Sequence, residues 1–107
     1  MAFDAYDRSL DLIRLLVPVT AKLATCDATL TRQMRDAASS VTQNLAEGSE
    51  RRGKDRKAHY RYAHGSIAEV IGCLDSAIAW SYLDAAFVSD AREMAGRVRA
   101  IVHGLAK

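Results

Sequence analysis

Lys54, Lys57, Arg61 and His64 recur at steps of three, four and three, so on a helix they form a single row. Arg51, Arg52 and Arg56 extend that row around the helix start, with Tyr60 and Tyr62 close by. Ammonium and guanidinium groups in such a row displace counterions from a phosphate backbone. The result is salt-sensitive binding that tolerates any base sequence. Neighbouring tyrosines can stack on a base. The formal net charge is only +2, yet residues 51–64 hold six basic side chains against one acid. The segments on either side each carry a small acidic excess. Positive charge at a helix start also opposes the helix dipole, a placement that folding alone does not favour. The competing reading of the same residues is a solvated face with no partner.

Other chemistry finds little support in the spacing. His59 and His64 are five apart and point to different faces, unlike the pair four apart that holds zinc. Asp7 and Asp11 share a face, but no Glu-x-x-His motif accompanies them, and a di-iron bundle needs two. There is no nucleophile elbow and no phosphate-cradling glycine loop. The expectation is therefore a protein with no catalytic residues, no metal ligands and no cofactor. Glu47 and Glu69 read as internal carboxylates used in capping and ion pairing. Cys26 and Cys73 are isolated, and read as two inert thiols of the buried kind in a reducing cytoplasm.

The elements that would position these residues follow from apolar spacing. A chain of 107 residues fits one domain, half of it hydrophobic, with one proline and six glycines. That balance favours helix. No apolar run is long enough to cross a bilayer, and Asp4 and Asp7 stand where an export signal would carry basic residues. Tyr6, Leu10, Ile13, Val17, Thr20 and Ala24 share a face of a first helix over about 4–25, which Pro18 should kink or split. Leu12, Leu15, Leu16 and Val19 widen that face enough for burial on two sides, one of them against a neighbouring subunit. The second helix, about 28–48, begins near Asp27 or Thr29 and ends at Gly48 in a left-handed turn. Its stripe is Leu30, Met34, Ala37 or Ala38, Val41 and Leu45.

The third, about 54–82, carries Tyr60, Ala63, Ile67, Ile71, Leu74 and Ile78, with Gly65 and Gly72 tolerated for close approach of another helix. The fourth, about 90–106, starts at Asp90 with Glu93 as reciprocal cap, and Phe87, Ala91, Met94, Val98, Ile101 and Leu105 follow a heptad. Four amphipathic segments with short connectors pack as an all-α, antiparallel, up-down-up-down four-helix bundle.

Three short runs add a resemblance. Asn44-Leu45-Ala46-Glu47-Gly48 is similar to the N-(I/L)-A-E-G that closes the second helix of the bundle family first recognised in proteins encoded by intervening sequences of bacterial 23S ribosomal RNA genes. Tyr62 to Glu69 resembles its I-A-x-G-S-x-x-E, and Gln33 to Ser40 its Q-x-R-R-A-x-x-S. The runs fall in order over residues 33–69. Two departures stand out. Thr42 replaces a proline usual before the asparagine, and Arg56 and His59 replace aromatics, which should leave the third helix's start more exposed.

The resemblance implies a helical bundle without enzymatic activity that assembles into a ring-shaped homo-oligomer, commonly a pentamer. Through a related branch, the accessory proteins of diversity-generating retroelements, it also implies binding of RNA or DNA, or service to a nucleic-acid enzyme. The motif residues Arg35, Asn44, Glu47, Gly48, Gly65, Ser66 and Glu69 are then structural. Gly65 and Ser66 let the second and third helices approach, Arg35 pairs with an interior Glu69, and Asn44 and Glu47 satisfy backbone groups at the second helix's end. Arg51, Arg52, Lys54, Arg56, Lys57 and Arg61 are the expected phosphate contacts. The alternative function is a protein–protein scaffold that binds no nucleic acid.

Overall fold

A computed structural model describes residues 2–107. The apolar spacing becomes four helices, α1 (Ala2–Leu23), α2 (Ala28–Ser49), α3 (Gly53–Ala79) and α4 (Ala85–Leu105), with no strand among the described residues. Consecutive helices pack antiparallel, and α1 also packs on α4, which closes the bundle. The long axis is 43 Å, matching a 27-residue α3 at about 1.5 Å per residue.

Local chemistry sets most of the ends. Asp27 lies in extended backbone, and its carboxylate accepts the Leu30 amide at 2.9 Å, which starts α2. α2 does not stop at Gly48 in a left-handed turn. It continues to Ser49, with Glu50 as a right-handed cap. Gly48 has a different duty, since a Cβ there would stand 2.5 Å from Cε1 of the Tyr60 ring. The left-handed glycine is Gly53, at φ 59° where α3 begins. α3 ends at Ala79 rather than Tyr82, because Ser81 adopts φ 63° and turns the chain. The Ser81 amide then donates to Ile78 O, and the Tyr82 amide to Ala77 O, both at 2.9 Å. A serine in this left-handed position carries a steric cost that glycine avoids. Ser81→Gly should therefore raise stability by about 0.5–1 kcal/mol, measurable as a higher urea midpoint at unchanged slope. α4 begins at Ala85, well before Asp90. Asp84 stands at the N-cap without a side-chain cap bond.

α1 runs unbroken through Pro18, which is exposed, so water can reach the carbonyl that the missing N–H leaves free. Its buried row is Ala5, Ser9, Leu12, Leu16, Val19 and Leu23. The row expected to form the core, from Tyr6 to Ala24, is instead half-buried or exposed. α4 is shifted by one position the other way, burying Val88, Ala95 and Val102 beside the expected Ala91 and Val98 and leaving Phe87 43% exposed. Small residues, Ala5 and Ser9 on α1 and Ala91 and Ala95 on α4, are part of both buried rows. Ser9 hydroxyl also meets Thr42 at 2.8 Å across α1 and α2. Thr42 thus supplies a cross-helix hydrogen bond. On α2 and α3 the expected stripes are the core, from Met34 to Leu45 and from Tyr60 to Ala77.

Candidate functional site

The basic residues divide into those the fold uses and those it leaves to solvent. Arg56 belongs to the first group. Its Nε donates to Gly48 O at 3.1 Å and Arg51 O at 2.9 Å, and its Nη2 to Ser49 O at 3.4 Å. A guanidinium on the last carbonyls of α2 satisfies acceptors that have no helical donor and meets the negative end of the dipole. Arg51 is neutralised by the chain's own acids, Glu47 at 3.2 Å and Asp55 at 3.8 Å. Both arginines thus have partners within the chain.

Arg52, Lys54 and Arg61 are exposed and make no ion pair among the described residues. The Lys57 ammonium donates to the backbone oxygen of Lys107, tying the start of α3 to the end of α4.

That tie brings in residues the linear row did not include. Arg61, His64 and Gly65 of α3 line an open cleft with His103, Ala106 and Lys107. The two imidazoles lie 5.4 Å apart by ring centroids. Along the α3–α4 seam the next acid is Asp75, already held by Arg92 Nε at 3.1 Å. From residue 94 onward the chain has no acidic residue at all. Arg99, His103 and Lys107, at steps of four, were the available signal. Basic density along the chain does not single out these residues, because they join the α3 row only across two helices.

The motif residues meet in a ladder across α2 and α3. His59 Nδ1 donates to Asn44 Oδ1 at 3.0 Å, and Asn44 Nδ2 donates to Ser40 O at 3.0 Å and Ser40 Oγ at 3.1 Å. Ser40 Oγ meets Ser66 Oγ at 2.8 Å. Asn44 thus joins two helices rather than capping one, and His59 is half-buried by this role. Glu47 is exposed on Arg51 and satisfies no backbone group. Arg35 and Glu69 do not pair. Both are exposed, and Arg35 lies on the α1 side of α2, in a groove with Ile13, Val17 and Thr20. Gly65 does not admit α2 either, for nothing lies within 4 Å of where its Cβ would stand, and the same is true of Gly72. The close approach is at Gly48. Cys73 is buried, and burial, then the Glu69 charge, push its thiol pKa up. Cys26, in contrast to the expectation, is exposed.

A second concavity lies beside α1 and the end of α2, lined by Phe3, Tyr6, Asn44 and Leu45 among others. Phe3 is 72% and Val17 62% exposed on the same flank of α1. No helix among the described residues is long and apolar enough to cross a membrane.

Fold and surface together define a bundle of four antiparallel helices with one cationic seam and one apolar flank. Within that class the chain belongs to the 23S rRNA-intervening sequence protein family, whose profile matches residues 1–104. A protein of unknown function from Bacteroides thetaiotaomicron, of the S23 ribosomal protein family, has a similar fold, with a TM-score of 0.86 at 16% identity. The similarity covers 96% of this chain and 98% of that one. Comparison with curated proteins gives no match.

Proposed function

We propose that this chain is a non-catalytic, cytoplasmic nucleic-acid-binding protein that works as a homo-oligomer. In this reading it holds RNA or DNA through its phosphates and serves a nucleic-acid enzyme as an accessory. The single observation that carries the reading is the cationic seam. Arg52 at the start of α3 and Lys54, Lys57 and Arg61 along it are joined by His103 of α4 and by Lys107 just beyond its end, and the one acid in the stretch, Asp55, faces Arg51. Phosphate contacts of this kind are sequence-tolerant and weaken with salt.

The test is fluorescence anisotropy with labelled RNA and DNA across a salt series. Lys54→Ala and Arg61→Ala should each lower the magnitude of the salt slope by about 1 and weaken binding to all sequences alike. Arg92→Ala, which breaks the Asp75 pair, should leave the slope unchanged. Absence of binding even at low salt would remove the proposal.

Assembly into a ring, commonly five-membered by family resemblance, is supported by α1. Its second apolar row, from Phe3 through Ile13 and Val17 to Ala24, is left half-buried or exposed. A chain this short also buries a small share of its surface alone, so subunit contact adds stability. Val17→Asp should shift the species seen by light scattering toward the monomer. A wild-type chain that is already monomeric at micromolar concentration would contradict assembly. The same exposed row favours the alternative, a protein-docking scaffold. Capture of one protein partner from nuclease-treated extract, with no nucleic-acid binding by the pure chain, would decide for it.

A further inference from the structure

We infer that the α3–α4 cleft seats one phosphate of the bound nucleic acid, and that His64 and His103 make this contact tighten as pH falls; the inference rests on the nucleic-acid reading above. Four groups able to donate to an anion line the cleft, Arg61 and His64 from α3 and His103 and Lys107 from α4. Its floor is small. Gly65 has open space where a Cβ would be, and Ala106 lies opposite, so a phosphate oxygen can approach the helices. The Lys57 bond to the Lys107 backbone holds the end of α4 in place beside the site.

The surroundings decide the sign of the pH effect. On α3 the neighbours are Lys57 and Arg61, and the acids of that helix lie apart from the cleft. Asp55 is on Arg51, Asp75 is on Arg92, and Glu69 is beside Cys73. On α4, Arg99 is one turn before His103, and Asp84, Asp90 and Glu93 stand toward the opposite end. α1 packs on the other flank of α4, where Asp11 is bonded to Arg8 and Arg14; Asp4 and Asp7 are on the same helix. No side-chain carboxylate is among the residues that line the cleft, and the backbone oxygen of Lys107 is taken by the Lys57 ammonium. A phosphate seated between the two imidazoles would accept hydrogen bonds from both rings in their protonated form. Bound nucleic acid favours the protonated form, so binding takes up protons and strengthens as pH falls through histidine's range.

The experiment is anisotropy with a labelled single-stranded RNA homopolymer at fixed ionic strength. The wild-type chain should bind roughly tenfold tighter at about pH 6 than at about pH 8, the gain expected from uptake of about one proton over part of that range. The double variant His64→Gln, His103→Gln should keep most of the affinity at the higher pH and lose the gain. His59→Gln, outside the cleft, should keep it. Gly65→Leu supplies an arm that alters no charge. It should fill the cleft, lower affinity several-fold at the lower pH, and leave the helix more stable, since leucine outranks glycine there. A pH gain that survives in the double variant, or Gly65→Leu binding as tightly as wild type, overturns the phosphate seat. Salt-sensitive binding with no pH dependence overturns it as well and leaves the nucleic-acid reading standing. No binding at either pH removes both.

Discussion

Ile67→Ala is expected to lower the free energy of unfolding by about 2–5 kcal/mol, the range for truncating a fully buried aliphatic side chain. Ile67 has 0% exposure and sits mid-way along α3, the helix that packs on both α2 and α4. Removing it leaves a void where two interfaces meet, and neither can collapse into it without disturbing the other. A domain of this size has a total stability of about 5–15 kcal/mol, so the loss is a large fraction of the whole. Thermal unfolding followed by circular dichroism should show a midpoint lower by roughly 10–20 °C. A change below about 1 kcal/mol would mean that the α3 core row is not packed as described.

Gly48→Ala should destabilise, although alanine is the better helix former by about 1 kcal/mol. The new Cβ would lie 2.5 Å from Cε1 and 2.8 Å from Cδ1 of Tyr60. That ring is only 4% exposed and has little room to swing away. Overpacking a buried aromatic costs about 1–3 kcal/mol, which outweighs the propensity gain. Gly72→Ala is the control with the opposite sign. Nothing lies within 4 Å of its Cβ position, so the propensity gain of about 0.5–1 kcal/mol should appear undiminished. The mechanism can be isolated by pairing Gly48→Ala with Tyr60→Leu. The cost of the alanine should largely vanish once the ring is gone, and equal cost in both backgrounds would show that the ring is not the cause.

These two glycines also show how much of the molecule was legible beforehand. Sequence spacing identified both as interior to helical patterns or at their ends, and assigned Gly48 to a left-handed turn and Gly72 to close packing. Gly48 makes the close contact instead, while Gly72 touches nothing. A glycine's role depends on what faces it across the bundle, and local pattern carries no information about that. Of the two start residues the spacing offers, Asp27 and Thr29, the structure uses Asp27, whose partner, the Leu30 amide, lies three residues away. Asp90 was read as the start of α4 from an equally local pattern, yet the helix had begun at Ala85. An acid three residues before a glutamate fits the inside of a helix as well as its start.

The candidate site divides along the same line. Lys54, Lys57 and Arg61 were legible as one row because helical periodicity is a property of adjacent residues. Arg56 looked like another member of that row, and its actual use on the carbonyls of α2 depends on how the α2–α3 connector folds back. His103 and Lys107 reach the row only because α4 lies antiparallel beside α3. The pairing of Arg35 with Glu69 failed for a rotational reason. The two residues lie on neighbouring helices but look outward over different flanks.

By itself, then, the sequence determined the all-helical class, the number of helices, the core rows of α2 and α3, and the place of the charge excess, all consequences of a 3.6-residue period acting on local spacing. The tertiary structure decided which of two adjacent apolar rows α1 and α4 would bury. Their apolar faces are wide enough to permit either choice, and the rows that end up buried take in small residues such as Ala5, Ser9 and Ala95. It also decided that a cationic row on one helix would become a two-sided cleft, since residues 64 and 103 become neighbours only through the packing of α3 against α4.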